Sequence, residues 1–193
     1  MRGLALSLAK VAGDIRLLAS GPLCGLAELR LPELQPGSSI MPGKVNPVMV
    51  EAVLQVVARV AGNDTTVAFG SASGMLQLNT SLPVIADALH ESVGLLAAVI
   101  ALFDRRCVRG IEVDAARCAA YASRSPALVT GLVSTIGYER AARAVHDALA
   151  SDRALRDVLV EQGLTADTLD RALDAVRLAR GGVPEAGTPG APA

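Results

Sequence analysis

Aliphatic residues recur at helical spacing through the first half of this chain, and this pattern restricts the fold more than any other feature. The first apolar stripe has members three and four residues apart, and Gly21-Pro22 ends it. Its members are Leu4, Leu8, Val11, Ile15 and Leu18. The spacing predicts one amphipathic helix at the start of the chain.

Two further long helices follow in the pattern. The stretch from Pro47 to about Ala61 is apolar nearly all round, so we expect it to be buried. Its single polar stripe is Glu51, Gln55 and Arg59. Another helix is predicted from Ser81 to about Arg106, and its less apolar face carries Asp87, His90 and Glu91. Three long helices with aliphatic faces predict an all-α fold built as a long-helix bundle.

The pattern shortens beyond Gly110. Helix starts are indicated at Asp114, at Ser125-Pro126, at Gly137 and at Thr165. We therefore predict a bundle domain over residues 1–110, which includes a loop at 36–47, and a small helical C-terminal domain over 111–180. Residues 181–193 are rich in Gly and Pro, and we expect a disordered tail there.

Composition excludes several classes of protein. The 18 basic and 19 acidic residues nearly balance, so the charge favours no nucleic-acid partner. The longest apolar run, Val93 to Phe103, is shorter than the ~18 residues of a membrane span, so no membrane partner is expected. Cys24, Cys107 and Cys118 lack metal spacing, which favours reduced thiols in a cytoplasmic protein. We expect no metal and no other cofactor, since neither a Cys/His cluster nor a Gly-rich phosphate loop after a strand occurs.

The segment Gly37-Ser-Ser-Ile-Met-Pro-Gly-Lys-Val-Asn-Pro47 concentrates polar chemistry in one loop. Its prolines and glycines interrupt regular structure, and Pro47 is predicted as the first residue of the next helix with Asn46 as its N-cap. The positive end of that helix is a place where an anion can bind. From composition alone, such a loop is also compatible with a plain connection between helices.

This loop closely resembles the signature of the fumarase/aspartase superfamily, whose members add water or an amine across the double bond of fumarate, or release fumarate from a succinyl compound. Further segments match in family order, and the resemblance extends over roughly residues 2 to 180. These segments are Ser20 to Pro32, Ala61 to Thr66, Ser71 to Gly74, Leu78-Asn79 and Ile136 to Glu139.

The resemblance implies a role for each residue of the loop. Ser38 matches the family's catalytic base, which acts as an oxyanion and needs nearby amides or positive charge to do so. Substrate binding is implied for Ser39, Lys44, Val45 and Asn46. Glu51 matches the glutamate that orients a catalytic histidine, although alone it could equally be a favourable contact with the helix dipole.

Other polar residues are predicted to be structural. His90 and His146 do not match the catalytic histidine, which the family carries in a segment upstream of anything matched here, so we interpret both as structural or surface residues. The cluster Asn63 to Thr66 and the lone Asn79 are interpreted as helix-break and packing features.

The resemblance concerns only the C-terminal part of family chains, which are longer and carry two further signature regions. Their active sites are shared among three subunits of a homotetramer. We therefore expect a dicarboxylate substrate and a homo-oligomer, and we expect the isolated chain to be inactive unless another polypeptide supplies the missing segments.

Within the superfamily, most segments resemble class II fumarases, which interconvert fumarate and L-malate. These segments are Gly21 to Glu28, Gly70 to Gly74, Ser125 to Thr130 and Leu169 to Arg177. Gly62 to Val67 and Leu76 to Asn79 look more like aspartate ammonia-lyase, which remains an alternative. A non-catalytic oligomerisation module is a third possibility, because long apolar helices in a short chain need partners.

Overall fold

The computed structural model describes residues 1–181, which form two compact units. The first unit is Met1–Asp114 and the second begins at Ala115, close to the boundary predicted near residue 110. Helices dominate both units, so the predicted all-α fold is confirmed. The tail predicted over 181–193 lies, from residue 182 onward, outside the described residues.

Three long helices build the first unit. They are α1 (Arg2–Leu18), α2 (Val48–Ala72) and α3 (Leu82–Arg106), and α2 packs against both of the others. Valines on one face of α2 lie at the centre of the core, together with Leu96, Val99 and Phe103 of α3. These valines are Val50, Val53, Val57 and Val60. The sequence predicted that the helix from Pro47 to about Ala61 would be buried, and in the structure one face of α2 is buried while Gln55, Ala58 and Arg59 on the other side are exposed.

The buried face of α1 differs from the predicted stripe. Ala5 and Ala12 are its buried residues, whereas Leu4 and Val11 are about half exposed. Small side chains allow two helices to approach closely, and the larger aliphatic residues then lie at the side of the contact. The predicted helix is present, but periodicity reports which residues are apolar and not which of them face the neighbouring helix.

Helix α2 continues well past the predicted end at Ala61. The predicted helix break at Asn63 to Thr66 is wrong, because α2 runs through these residues to Ala72. The predicted packing role holds for Asn63, which is 6% exposed and donates hydrogen bonds to Glu91 Oε2 at 2.7 Å and to Ser92 Oγ at 3.1 Å on α3. A buried amide that finds such partners outweighs the modest helix propensity of asparagine.

Glu91 is the charged member of this contact between α2 and α3. Its carboxylate also accepts a hydrogen bond from Arg59 Nε at 2.9 Å. The hydrogen bond from Arg59, followed by the one from Asn63, holds the pKa of Glu91 below its usual value. These hydrogen bonds therefore favour the charged form of Glu91 and join α2 to α3 at this point.

A short antiparallel pair of strands was not predicted. Strand β1 (Leu29–Arg30) pairs with β2 (Glu112–Val113), with Leu29 opposite Val113. Arg30 donates to Asp114 Oδ2 at 3.1 Å beside this pair. Two-residue strands are too short to show an alternating pattern in a sequence.

By length and composition, the segment Leu82–Gly110, which is α3 and the turn after it, could cross a bilayer. The sequence prediction considered only the shorter uninterrupted apolar run from Val93 to Phe103. A core helix of a bundle passes the same test. Here α3 packs against α2 through Ala88 and Leu96, and it carries Glu91 and the buried Ser92. We therefore interpret it as a bundle helix, and the absence of a membrane partner remains a prediction.

The second unit consists of short helices around its own core. They are α4 (Ala115–Ser123), α5 (Val133–Ile136), α6 (Tyr138–Ala150), α7 (Leu155–Glu161), α8 (Ala166–Ala172) and α9 (Ala175–Ala179). A 3-10 helix, Pro126–Leu132, follows Ser125, whose side chain accepts from the amide of Ala127. Leu132, Leu159 and Leu169 are fully buried at the centre. The predicted starts at Asp114, Ser125, Gly137 and Thr165 each precede one of these elements.

Candidate active-site loop

Residues 36–47 form an irregular loop that leads from β1 to α2. Its sharpest turn is Met41-Pro-Gly-Lys44, in which the amide of Lys44 donates to the carbonyl of Met41 at 3.2 Å. Gly43 occupies the position of this turn that requires a positive φ, here +79°. Proline followed by glycine favours this type of turn, so the local sequence determines its shape.

Gly37 connects the two ends of the loop. Its amide donates to the carbonyl of Lys44 at 2.9 Å, and its carbonyl accepts from Asn46 Nδ2 at 2.9 Å. A Cβ atom at residue 37 would lie 2.3 Å from the Lys44 carbonyl oxygen, which is closer than any real contact. Only glycine therefore permits this closure.

Ser38 follows Gly37 directly, and its hydroxyl oxygen lies opposite two backbone amides. Ile40 N and Met41 N each donate to Ser38 Oγ at 3.2 Å. Two N–H groups that converge on one oxygen favour a negative charge on it. The resemblance implies an oxyanion base at Ser38, which needs nearby amides; two such amides are present, and the catalytic role stays a prediction.

The other predicted binding residues lie along the same loop. Ser39, Lys44 and Val45 are exposed, while Asn46 is half-buried. The loop thus brings a hydroxyl, a positive charge and an amide into one short segment, which suits an anionic ligand. No observation assigns a substrate contact to any of them, so these roles remain predictions.

Asn46 does not cap α2, and that prediction was wrong. The N-cap position is Pro47, helix α2 begins at Val48, and no side chain makes a capping hydrogen bond there. The amide of Asn46 donates instead to the carbonyl of Gly37. The side chain of Asn46 therefore closes the loop and does not cap α2.

Glu51 lies in the first turn of α2 and is half-buried. This position agrees with both interpretations of the residue: a contact with the positive end of the helix and an orienting partner for a histidine from elsewhere. His90 and His146 are both exposed, as expected for surface residues.

Asn79 has a structural role in the connection between α2 and α3. Its Nδ2 donates to the carbonyl of Gly70 at 3.0 Å, and its Oδ1 accepts from the amide of Ser81 at 2.8 Å. It thereby satisfies the end of one helix and the start of the next. Within residues 1–181, the structure brings no three His, Cys, Asp or Glu side chains together as a metal ion would need.

Gly37 and the amides of Ile40 and Met41 had no predicted role. A serine whose oxygen accepts from the amides two and three residues ahead is a common local motif, and the Gly-Ser-Ser run offered that signal. The close approach of Gly37 to Lys44 depends on the whole path of the loop, so spacing alone could not indicate it.

Comparison with known proteins finds two family models that match separate parts of the chain. Residues 1–62 match the family described as "Lyase", and residues 128–180 match the family described as "Fumarase C C-terminus". The fumarate hydratase class II of Corynebacterium glutamicum is 49% identical over 185 residues, which are 93% of this chain and 39% of that protein.

An aspartate ammonia-lyase and a solved structure are also similar. The enzyme of Helicobacter pylori is 46% identical over 171 residues, 88% of this chain and 36% of its own length. The crystal structure of the recombinant class II fumarase of Schistosoma mansoni superposes with a TM-score of 0.88 at 35% identity, over 92% of this chain and 37% of that one. This chain therefore spans about two fifths of the length of the proteins it matches.

Proposed function

Because this chain belongs to the fumarase/aspartase superfamily and corresponds to the C-terminal part of its members, we propose that it is the portion of a class II fumarase that carries the catalytic serine loop. The complete enzyme interconverts fumarate and L-malate. The observation that carries this proposal is the hydroxyl of Ser38, which accepts from two backbone amides within a region closely similar to class II fumarate hydratases.

In the direction that forms fumarate, a base removes a proton from the carbon beside a carboxylate of malate. The proton moves to Ser38 Oγ, and the electron pair left on carbon spreads into the carboxylate as an aci-carboxylate. That pair then forms the double bond while the hydroxyl group on the adjacent carbon leaves as water. The group that protonates this leaving hydroxyl is expected from a signature region outside the matched part.

The loop reduces the difficulty of using serine as a base. The amides of Ile40 and Met41 stabilise the alkoxide of Ser38, and the ammonium group of Lys44 adds positive charge along the loop. Lys44 and Asn46 together provide an ionic and a neutral donor for a substrate carboxylate that gains charge as the proton leaves. Ser39 and Val45 complete the binding segment, and Glu51 orients a histidine supplied by another segment.

We propose a homotetramer in the cytoplasm as the working assembly. The exposed aliphatic side chains on the long helices support self-association, since a solvated helix face rarely carries so many. They include Leu4 and Val11 on α1 and Val93, Ile100 and Leu102 on α3. The three free cysteines are consistent with a reducing compartment.

Ultraviolet absorbance of fumarate tests the proposed reaction. L-malate and L-aspartate are supplied separately to this chain and to the longest product of its reading frame. We expect a product that carries every signature region to convert malate and this chain alone to be inactive, because a shared site needs all of these regions. Rapid turnover of aspartate without turnover of malate would contradict the fumarase proposal.

Aspartate ammonia-lyase is the second candidate, and the similarity to the Helicobacter pylori enzyme supports it. The same loop serves either reaction, because both remove a proton beside a carboxylate. Ammonia release from aspartate, followed with a coupled assay, distinguishes the two.

A non-catalytic oligomerisation module is the third candidate, and it rests on the same exposed helix faces. It predicts self-association without turnover. Size-exclusion chromatography that gives a compact monomer would count against it, and conversion of substrate by the pure chain would exclude it.

A further inference from the structure

The side chain of Asn46 offers more than a donor for a ligand, because the loop already uses it. Its Nδ2 lies 2.9 Å from the carbonyl oxygen of Gly37, nine residues earlier. The Asn46 side chain is half-buried, unlike Ser39, Lys44 and Val45. The first hydrogen-bond partner of this amide is therefore the backbone of the loop.

Gly37 is the residue immediately before Ser38, so its orientation determines where the Ser38 hydroxyl lies. Both polar groups of the Gly37 backbone are held by the far end of the loop: the amide by Lys44 O and the carbonyl by Asn46 Nδ2. These two contacts fix the peptide groups on both sides of Gly37. The second of those groups is the one that joins Gly37 to Ser38.

The distances indicate which contacts set the geometry. The two closing hydrogen bonds of Gly37 are 2.9 Å long, at the usual value for N–H···O, whereas those to Ser38 Oγ are 3.2 Å, at the long end of the range. The long pair is easily broken by a small displacement. The closure at Gly37 thus has the shorter contacts and lies directly beside Ser38 in the chain, where it can keep the hydroxyl near the two amides.

We propose that Asn46 is a positioning residue, whose amide holds the Gly37 carbonyl so that Ser38 Oγ stays in reach of the Ile40 and Met41 amides. The catalytic consequence rests on the proposed function. Loss of an asparagine that only binds the substrate can change both KM and kcat, since its donor also meets the charge that develops on the substrate carboxylate, but it leaves the pH dependence of the rate unchanged. Loss of an asparagine that positions the base also raises the pH at which the rate rises, because an alkoxide without its two amides forms only at higher pH.

The first test uses this chain and needs no turnover. Nuclear magnetic resonance measures the amide chemical shifts and hydrogen-exchange rates of Ile40 and Met41 in the parent chain and in Asn46→Ala. Ser38→Ala is the reference variant, because it removes the hydroxyl that accepts from these two amides. We expect Asn46→Ala to shift the same two amides and to speed their exchange about threefold to tenfold, as the loss of one hydrogen bond predicts. Parent-like shifts and rates in Asn46→Ala would overturn the proposal.

Asn79 offers a matched control. Its Nδ2 also donates to a glycine carbonyl, that of Gly70, at 3.0 Å in another loop of the same unit. Asn79→Ala removes the same kind of contact, and we expect it to leave the Ile40 and Met41 amides unchanged. If Asn79→Ala moves those two amides as much as Asn46→Ala does, the effect is general loosening and the proposal fails.

The second test uses the longest product of the reading frame with L-malate. We expect Asn46→Ala to lower kcat by about tenfold or more and to move the rise of the rate to higher pH. A change in KM or kcat without the shift in pH would overturn the positioning role while leaving the fumarase proposal intact. If the parent turns over neither malate nor aspartate but Asn46→Ala still shifts the two amides, the fumarase proposal fails and the positioning contact stands.

Discussion

Ser38 in the first unit and Asp174 in the second make the same local contact and use it differently. Each side-chain oxygen accepts from the backbone amides two and three residues ahead: Ser38 from Ile40 and Met41, both at 3.2 Å, and Asp174 from Val176 and Arg177, both at 3.0 Å. Asp174 is the N-cap of α9, and a regular helix continues beyond it. Ser38 is followed by bends and by the Pro-Gly turn.

The difference between the two sites is the charge of the acceptor before the contact forms. The carboxylate of Asp174 is already negative, so its two amide contacts stabilise the folded state and have no further role. The hydroxyl of Ser38 is neutral and satisfies its amides only weakly. Most of their stabilising effect is therefore available when the oxygen becomes negative during a reaction.

Replacement of Ser38 by alanine should give the largest effect. In a product that carries every signature region, we expect Ser38→Ala to lower kcat for malate by ~10^3-fold, the size typical of losing a general base. We expect its free energy of unfolding to change by no more than about 0.5 kcal/mol, because the loop is on the surface. Fumarate absorbance measures kcat, and urea denaturation measures the free energy of unfolding. A large loss of stability with normal turnover would show that the Ser38 contact is structural, like that of Asp174.

Gly37→Ala should be the next largest. The added Cβ would meet the Lys44 carbonyl oxygen, so the loop must open and move Ser38. A displacement of this kind costs roughly 10^2-fold in kcat. Gly3→Ala is the control, since a Cβ there meets nothing within 4 Å. Normal turnover of Gly37→Ala would show that the closure does not position the serine.

Asp174→Ala tests the structural member of the pair. Loss of an N-cap costs about 1 kcal/mol, here in the second unit, with no effect on turnover. Tyrosine fluorescence reports the unfolding of that unit, because both tyrosines of the chain, Tyr121 and Tyr138, lie in it. Reduced kcat with unchanged stability would contradict the structural role of Asp174 and assign it a part in catalysis.

Asp174→Ser brings the two sites to the same chemistry. Serine and aspartate are similarly good N-caps, so the free energy of unfolding should fall by only a few tenths of a kcal/mol, roughly within error. The same tyrosine signal measures it. A loss as large as that of Asp174→Ala would mean that the charge, and not the hydrogen bonds, makes the cap.

Glu91 extends the comparison to a charged acceptor between helices. Its pKa is lowered by hydrogen bonds from Arg59 and then Asn63, so the stabilisation is present above its unfolded pKa of roughly 4.3 and is lost as the pH falls through the lower folded value. The effect should be small because the pair is partly exposed. Urea denaturation of the parent and of Glu91→Gln between pH 7 and pH 3 measures it; an equal decline in both would exclude Glu91 as the cause.

Much of the bundle could be predicted from the sequence, since helix boundaries follow from local signals. Gly21-Pro22 ends α1 and Ser81-Leu-Pro83 begins α3, as the sequence indicated. The end of α2 could not be predicted, because Asn63 lowers helix propensity locally. Its stabilising partners, Ala88, Glu91 and Ser92, all lie on α3, far along the chain.

The candidate site was predictable as a segment but not as a geometry. The residues of the loop were identified, whereas the use of Asn46 was not, since an asparagine before a helix is usually its cap. Its true partner, Gly37, lies nine residues earlier, and the contact requires the Pro-Gly turn to reverse the chain. Contacts that depend on the path of several turns at once cannot be derived from spacing.

The pairing of β1 with β2 has a consequence for biosynthesis. Arg30 and Asp114, which meet beside this pair, are 84 residues apart in the chain. Local helices form early, while a contact that closes so long a stretch forms late and slowly. On the ribosome, the contact between Arg30 and Asp114 therefore cannot form until Asp114 has emerged, and proteases should cut shorter nascent chains more readily near Arg30.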